Sequence, residues 1–470
     1  MTISLDEIIA DNANTDTNGA PRISEEDLAL QFADTHAAHT RYVALWNKWL
    51  IWDGVRWAMD ETKLAFSLAR DLCRDQAAMT KGSDRIRIAS AKTRAAVVSL
   101  AGEDRRLAAT VDQWDADPWL LNTPTGVIDL RTGKRRDQLP KDYMTKVTAV
   151  APDASCPTPL WSKFLATVTN NDGDLASYLA RVSGYALTGS VQEHALFFHY
   201  GLGGNGKGVF GNAVSGIMGD YHRTAPIETF TASNTDRHPT ELAMLRGARL
   251  VTATETEEGR RWAESRIKML TGDDKISARF MHQNFFDFVP QFKLMISGNH
   301  KPGLNSVDEA IRRRFNLVPF TVTIPKKERD VELGKKLKAE WPGILSWMIQ
   351  GCVQWQQIGL APPQAVIKAT DEYLAAEDTI KQWLNECCRK DPAAWTSFGV
   401  LYECWKQWAE TLGEYAGTSK RFSQKLEDHG FVSKRMDQRG FLGVTIYLST
   451  KDCDSSGRPL PPKPIWTRTM

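Results

Sequence analysis

Short apolar runs that end in polar or glycine-rich turns recur through the middle of the chain. They cover residues 195–200, 249–254 and 292–297, and each has the length of a buried strand. Helical spacing of apolar residues surrounds them, most clearly over 157–187 and 331–357. Strands that alternate with helices predict an α/β fold with a parallel sheet. We therefore expect one such sheet at the centre of the protein.

The same patterns divide the chain into segments. Residues 1–24 are rich in Asn, Asp, Thr and Gly and are predicted to be disordered, and Ser24 is a candidate helix N-cap. Three helical patterns and then two strand patterns end the chain, with Thr396 as the expected N-cap of the second helix; this is the order of a winged helix. The expected segments are a disordered stretch (1–24), a mixed α+β region (25–110), a helical region (111–190), the α/β core (191–330), a helical appendage and linker (331–375), the winged helix (376–450) and a tail (451–470).

Composition narrows the class of protein without naming a partner. The chain has 470 residues and a formal charge of +2, and its seven cysteines include no C-x-x-C pair. A zinc ribbon is therefore not expected, and free thiols fit a reducing compartment. No apolar run reaches the ~20 residues that a membrane span needs, and the N-terminus lacks a signal-peptide pattern. We expect a soluble cytoplasmic protein with no membrane partner.

A glycine-rich loop follows the first apolar run and precedes a helical pattern. Strand, loop, lysine and helix together form a phosphate cradle, because glycines let backbone N–H groups turn toward an anion. Lys207 would reach the β and γ phosphates, whereas Gly208 replaces the Ser or Thr whose hydroxyl usually binds magnesium. A glycine-rich surface turn is the alternative. The cofactor-binding candidates are Gly201, Leu202, Gly203, Gly204, Asn205, Gly206, Lys207 and Gly208.

Polar residues after the next two strands are candidates for catalysis of hydrolysis. Glu255 follows the second apolar run, at the position of a Walker B acid, and would hold Mg²⁺ directly or through water. Glu257 or Glu258 would polarise the attacking water. Asn299 follows the third run and would orient that water or contact the γ-phosphate. The alternative for the glutamates is a loop that merely carries charge.

An arginine triplet lies shortly after Asn299. An arginine offered across a subunit boundary stabilises the charge that spreads over a transferring phosphoryl group. Three successive side chains do not share one direction, so one or two members of the triplet Arg312, Arg313 and Arg314 would serve. A basic solvent-exposed face is the alternative.

Two segments are candidates for contact with DNA. Alternating residues on both sides of a polar centre, over 268–288, predict a hairpin inserted before the third strand. In a ring, this hairpin would face a central channel and touch the backbone of a single strand. An ordinary core hairpin, and protein–protein contact by the winged helix, are the alternatives. The candidates are Lys275, Arg279 and His282 in the hairpin and Lys420, Arg421, Lys425 and Arg439 in the winged helix.

Two further patterns have both a structural and a functional interpretation. The tryptophans at 46, 49, 52 and 57 surround a hairpin signal at Asp53-Gly54, and they suit either a small core or the stacking of single-stranded bases. The core is favoured. Asp115 and Asp117 form a D-x-D pattern, which suits either a turn or a metal site, and the turn is favoured.

Five motifs in order resemble those of superfamily 3 helicases, in the phage and plasmid primase–helicase family related to poxvirus primase–helicases. They are GLGGNGKGVF, ARLVTATETEEG, KMLTGDDKISARF, FKLMISGNHKP and DEAIRRRF. The resemblance extends over roughly residues 115–450 and implies a P-loop, AAA+-like ATPase core that uses ATP and Mg²⁺. It implies that Lys207 binds phosphate, Glu255 is the Walker B acid, Asn299 is the sensor, and Arg313 or Arg314 acts on a neighbour's ATP.

From these observations we predict an ATP-dependent DNA helicase that moves along single-stranded DNA during phage or plasmid replication in a bacterial cell. The expected partners are single-stranded and forked DNA and five further copies in a homohexamer. The first 110 residues are short for a primase module, so we expect no primer synthesis, and a separate primase is a further candidate partner. The alternatives are an ATP-controlled origin-binding or helicase-loading factor and a monomeric P-loop kinase or GTPase.

Overall fold

The chain begins with a small α+β region. The computed structural model describes residues 23–232, 240–254, 259–281, 284–304, 307–412 and 416–447. Ser24 caps the first helix, where its hydroxyl accepts a hydrogen bond from the backbone N–H of Asp27, as predicted. The elements of this region are α1 (Glu25–His36), an antiparallel sheet of β1 (Thr40–Val43), β2 (Lys48–Trp52) and β3 (Trp57–Met59), and the helices α2 (Leu64–Met79), α3 (Gly82–Ile88) and α4 (Ala91–Ala101).

The tryptophans of this region form a core. Trp49 and Trp57 are buried in separate apolar clusters, and Trp46 and Trp52 are half-buried against the cluster of Trp57. Trp57 stacks on Tyr143 with a centroid distance of 6.1 Å. Rings that pack on one another are not presented for base stacking, so the core interpretation of the tryptophan hairpin is confirmed.

A second antiparallel sheet follows the D-x-D pattern. It comprises β4 (Leu120–Thr123), β5 (Gly126–Asp129) and β6 (Lys134–Arg136). The carboxylate of Asp115 accepts hydrogen bonds from Thr145 and from Lys146 Nζ at 2.9 Å. Asp117 accepts a hydrogen bond from the backbone N–H of Trp119 at 2.8 Å. Asp117 therefore stabilises a local turn, as the turn interpretation predicts, whereas Asp115 binds residues about 30 positions later in the chain.

The predicted helical stretch 157–187 is two helices. They are α5 (Pro159–Val168) and α6 (Gly173–Leu187), and Asn170 and Asn171 separate them in the left-handed region of backbone space. Asn tolerates this conformation better than most residues, which explains the break inside a continuous apolar pattern.

The elements of the central unit are β7 (Leu196–Tyr200), α7 (Lys207–Met218), β8 (His222–Thr224), α8 (Thr240–Ala243), β9 (Leu250–Thr254), α9 (Glu264–Leu270), β10 (Ile276–Ala278), β11 (Phe286–Phe288), β12 (Lys293–Gly298), α10 (Glu309–Arg312) and β13 (Phe315–Pro319). Five of its strands form a parallel sheet in the order β13-β7-β12-β9-β8. The expected parallel sheet is thus present with its three predicted strands β7, β9 and β12, whereas β8 and β13 were not predicted.

Helices cover both faces of this sheet. Helices α5, α6 and α7 share one apolar cluster with α12 (Trp341–Ile358), which follows the short α11 (Leu333–Lys336). On the other face, α13 (Gln364–Glu377) buries Ala369, Tyr373 and Leu374 against the sheet. A parallel sheet needs apolar cover on both faces, which explains why its three inner strands β7, β12 and β9 are mainly apolar and buried.

Two buried cations attach the sheet to the preceding region. Arg249, just before β9, donates hydrogen bonds to the carbonyl oxygens of Leu187 and Leu120, each at 2.8 Å. Lys293, the first residue of β12, donates to the carbonyl oxygens of Thr188 and, at 3.2 Å, Ser190. Carbonyl oxygens replace the lost hydration of both buried groups, so these contacts hold the amino-terminal ends of two central strands.

The C-terminal region contains the three predicted helices and the two predicted strands, with an additional strand between the first two helices. It comprises α14 (Thr379–Cys387), β14 (Cys388–Ser397), α15 (Phe398–Thr411), α16 (Ser419–Asp428), β15 (Val432–Arg435) and β16 (Arg439–Ile446). Strand β14 was not predicted, and it pairs with β16 on the side away from β15. Thr396 is therefore a strand residue, and the residue before α15 is Ser397, so the predicted N-cap is wrong by one position.

Within the described residues, no helix combines the length and the apolar character that crossing a membrane requires.

Candidate nucleotide-binding site

The glycine-rich loop connects the carboxyl end of β7 to the first turn of α7. Gly201, Gly204 and Gly206 have positive φ angles of 152°, 78° and 87°. Other residues adopt such backbone angles rarely, so glycine is needed where the chain reverses around the loop. A Cβ atom on Gly206 would lie 2.5 Å from Cγ1 of Val168 and 2.9 Å from Cε2 of Phe164. Helix α5 therefore packs directly under the loop.

Lys207 is the first residue of α7, where the loop ends, and its side chain contacts the end of a neighbouring strand. Its ammonium group is buried, and it donates to the carbonyl oxygen of Gly201 and, at 3.1 Å, to Oδ1 of Asn299. Strand β12 lies beside β7, so Asn299 comes to the loop directly from the next strand end. The structure thus brings together two of the predicted site residues from positions 92 apart in the chain.

The electrostatics of the site favour an anion. Burial lowers the pKa of Lys207, because the charged form loses water. His199, at the end of β7, is buried, and burial together with the nearby charge of Lys207 lowers its pKa to about 3. His199 is thus neutral at pH 7 and adds no charge of its own. Because the hydrogen-bond partners of the ammonium group are uncharged oxygen atoms, a phosphate bound beside it would form a strong charge-assisted hydrogen bond.

The role of Asn205 was not predicted beyond its membership of the loop. Its side-chain amide donates to the carbonyl oxygen of Phe320, just after β13, at 2.7 Å. Its Oδ1 accepts a weak hydrogen bond from the backbone N–H of Lys207 at 3.4 Å. Asn205 therefore anchors the loop to the edge strand. A buried polar residue inside a glycine-rich segment was the available sequence signal.

The predicted acids follow β9 in the sequence. Glu255, Glu257 and Glu258 fall outside the described residues. Strand β9 pairs with β12, so its carboxyl end lies one strand further from the loop than Asn299 does. In the described part of the chain, no group of three or more His, Cys, Asp and Glu side chains is arranged to hold a metal ion.

The three members of the arginine triplet have different surroundings. Arg312 pairs with Asp378 at 3.4 Å, and the buried Arg314 donates to Oγ1 of Thr271 at 3.0 Å and to the carbonyl oxygen of Ala310 at 2.8 Å. Arg313 lies between them and is exposed. Two of the three side chains are thus held inside the subunit, which leaves Arg313 as the member directed to solvent.

The predicted hairpin before the third strand is present. Strands β10 and β11 are antiparallel, with Ile276 opposite Phe288. Lys275 and Arg279 are exposed, and the guanidinium group of Arg279 lies 4.8 Å from the ring centroid of Phe285. His282 lies outside the described residues. Exposed apolar side chains also occupy the tip, among them Phe285 and Met281, which an ordinary core hairpin would bury.

The predicted DNA contacts of the C-terminal region differ in their exposure. Lys420 and Arg421 are exposed. Lys425 is half-buried, its Nζ lies 5.5 Å from the ring centroid of Trp405, and burial lowers its pKa. Arg439 packs over Phe398 at 5.4 Å and donates to Oγ of Ser423 at 2.5 Å. Lys425 and Arg439 thus contribute to the packing of this region, whatever else they bind.

The central sheet and the loop define the class of protein: a mixed α/β fold with a P-loop-like core. Two family models match parts of the chain. Residues 29–170 match the family described as D5 N terminal like, and residues 199–314 match a family of unknown function, DUF5906. The second match begins in β7 and ends at the arginine triplet. The match to the D5 N terminal like family starts at residue 29, whereas the motifs had indicated a resemblance only from about residue 115. The matched segment therefore includes the tryptophan-containing region.

Curated relatives are viral proteins named as helicases. Putative helicase 022R of Frog virus 3 (isolate Goorha) is 25% identical over 281 residues, which are 55% of this chain and 28% of that protein. Putative helicase L207/L206 of Acanthamoeba polyphaga mimivirus is 24% identical over 295 residues, which are 58% of this chain and 31% of that protein. The chain spans less than a third of the length of these relatives. The chain is therefore similar to the family described as D5 N terminal like and to viral proteins named putative helicases.

A solved structure also resembles the chain in outline. The apo C-terminal region of NrS-1, in its A form, has a TM-score of 0.48 and 12% sequence identity to it. This similarity covers 89% of the present chain and 98% of that chain.

Proposed function

We propose that this chain is an ATP-dependent DNA helicase of superfamily 3, which moves along single-stranded DNA during replication of a phage, viral or plasmid genome. The observation that carries the proposal is the contact between Lys207 and Asn299 at the carboxyl edge of a parallel sheet. A phosphate-binding lysine and a sensor amide on adjacent strands form the part of an ATPase that distinguishes a bound γ-phosphate from its absence. The similarity to viral proteins named putative helicases supports a helicase rather than a small-molecule kinase.

The residues present fit the triphosphate of ATP. The loop has three glycines with positive φ angles, the start of a 12-residue helix and a buried ammonium group, and each of these favours a phosphate. Magnesium would neutralise charge on the β and γ phosphates when it is bound. Gly208 offers no hydroxyl to the metal, so Glu255 is the residue proposed to hold it, directly or through water.

We further propose that hydrolysis takes place between subunits of a homohexamer. Arg313 is exposed while Arg312 and Arg314 are engaged within the chain, which supports Arg313 as the residue offered to a neighbour's ATP. Glu257 or Glu258 would polarise the attacking water. The hairpin residues Lys275, Arg279 and His282 would follow the DNA backbone in the channel.

Two variants test the proposal together. Lys207→Ala should abolish DNA-stimulated ATP hydrolysis and the unwinding of forked DNA, because the phosphates lose their buried cation. Arg313→Ala should lower the hydrolysis rate by about 10³-fold or more with nucleotide binding retained, because only the transition state loses its arginine. A mixture of the two inactive variants should recover part of the activity if Arg313 acts on a neighbouring subunit.

The matched control for charge is Lys335→Ala, since Lys335 is 83% exposed and pairs only loosely with Glu332 at 3.6 Å. If the wild-type protein hydrolyses ATP but separates no strands of forked DNA at any nucleotide concentration, the helicase-loading alternative is favoured. A monomer by native mass in the presence of ATP, with no recovery in the mixture, would overturn the intersubunit site.

A further inference from the structure

The segment after β13 runs along the glycine-rich loop and is fastened to it. The backbone N–H of Phe320 donates to the carbonyl oxygen of Tyr200 at 2.8 Å, which continues the pairing of β13 with β7. The amide of Asn205 donates to the carbonyl oxygen of Phe320 at 2.7 Å. Further along, the backbone N–H of Ile324 donates to the carbonyl oxygen of Gly204 at 3.1 Å. The segment is therefore held by two hydrogen bonds at Phe320, one to the end of β7 and one to the loop, and by a third at Ile324 to the loop.

Arg329 ends this segment with its guanidinium group against the loop. A short turn at Lys326–Glu328 brings the chain back, and Nε of Arg329 donates to the carbonyl oxygen of Ile324 at 2.7 Å. A Cβ atom on Gly204 would overlap the guanidinium group of Arg329. The absence of a side chain at Gly204 thus makes room for this cation beside the loop.

The charge of Arg329 is not neutralised where it lies. Among the residues that the structure describes, no carboxylate pairs with it, and its side chain is exposed. The acids that follow it are engaged elsewhere: Asp330 pairs with Lys336 at 2.6 Å, and Glu332 pairs with Lys335. Lys326 and Lys327 add further positive charge in the same turn. A guanidinium group in this position is well suited to bind a phosphate.

We propose that Arg329 is a second cation of the nucleotide site in the same subunit, which contacts the phosphate chain of the nucleotide held by the loop. The inference rests on the proposed ATP site but goes beyond its motifs, because Arg329 lies outside all five of them. Lys207 approaches the phosphates from inside the loop, and Arg329 approaches from the outer side at Gly204. Its fixed fork of donors can contact two phosphate oxygens together.

The test is nucleotide binding by the full chain carrying Arg329→Ala, measured by titration calorimetry with ATP, ADP, AMP and adenosine. Loss of one charge-assisted contact should weaken ATP binding by about 10- to 100-fold. The loss should be smaller for AMP and absent for adenosine, because the contact is to phosphate. Arg329→Lys should recover part of the affinity, since it keeps the charge without the fork.

Lys335→Ala serves as the matched control, since it removes an exposed cation six residues away and should bind ATP as the wild type does. Equal affinities of the wild type and Arg329→Ala for ATP would overturn the proposal. An equal loss for adenosine and ATP would overturn the contact with phosphate. The Lys207→Ala variant separates failure of this inference from failure of the proposed ATP site. If the loop does not bind ATP, Lys207→Ala binds ATP as tightly as the wild type does. Unchanged melting temperatures show that each variant folds.

Discussion

Gly206 is the residue at which the loop, its helix and the preceding region meet. It has a φ angle of 87°, and the side chains of Val168 and Phe164 fill the space where its Cβ atom would lie. Two independent causes therefore require glycine here: the left-handed backbone and the close approach of α5. Gly211, four residues into α7, has nothing within 4 Å of a Cβ position and is not restricted in this way.

We predict that Gly206→Ala destabilises the protein by about 1–3 kcal/mol, because strain in the left-handed region adds to the clash with α5. Gly211→Ala is the matched control, and it should be neutral or stabilising by up to about 1 kcal/mol, since alanine favours a helix. Urea unfolding without nucleotide, followed by tryptophan fluorescence, measures both. Equal stabilities of the two variants would contradict this account of the loop.

At the scale of elements, Asp378 connects the arginine triplet to the C-terminal region. Its buried carboxylate caps α14 by accepting from the backbone N–H of Lys381 at 3.1 Å. The same carboxylate contacts Arg312, the last residue of α10, and accepts from Nε2 of His429, after α16, at 3.1 Å. Asp378 thus contacts α10, α14 and the residue after α16, and so connects the arginine triplet to the C-terminal region.

This contact predicts a pH dependence of stability. The hydrogen bond to Asp378 raises the pKa of His429, and the backbone of Lys425 and the charge of Asp428 act in the same direction against burial. A raised pKa means that His429 stabilises the fold below its unfolded pKa of ~6.5, and that this contribution is lost as the pH rises through the folded value. Hydrogen bonding to His429 in turn contributes to lowering the pKa of Asp378, which stays charged throughout this range.

We expect the melting temperature of His429→Gln to lie below that of the wild type at about pH 6, and the difference to shrink toward about pH 8.5. His39→Gln is the control, because His39 is exposed on the N-terminal region. A difference between wild type and His429→Gln that stays constant with pH would show that the histidine acts only through packing.

Strands β7, β9 and β12 and the glycine-rich loop were predictable because these strands are mainly apolar and end in glycine or polar residues. Strands β8 and β13 were not predicted, and β8 is short and polar. Strand β14 was not predicted, because its sequence shows no strand pattern over Arg389, Lys390, Asp391 and Pro392. This strand is formed by pairing with β16. Arg329 was missed for a related reason. Its contact with Gly204 depends on the path of the chain after β13, which no local pattern reports.

At the scale of the molecule, the carbonyl oxygens around Arg249 and Lys293 bind the region before the sheet to the sheet itself. We predict that Lys293→Met lowers the free energy of unfolding by about 1–3 kcal/mol, because the carbonyl oxygens of Thr188, Ser190 and Gln291 lose their donor in a buried place. Lys335→Met is the exposed control. Circular dichroism in urea measures the change, and equal midpoints for the two variants would contradict it.

Arg249 and Lys293 stand at the amino-terminal ends of β9 and β12, whereas Asn299 and the glycine-rich loop lie at the carboxyl edge. The sheet is therefore tied to the preceding region at the end opposite the glycine-rich loop. Any displacement of the strand ends at the loop would act on a sheet whose other end is held by the carbonyl oxygens of Leu120, Leu187, Thr188 and Ser190.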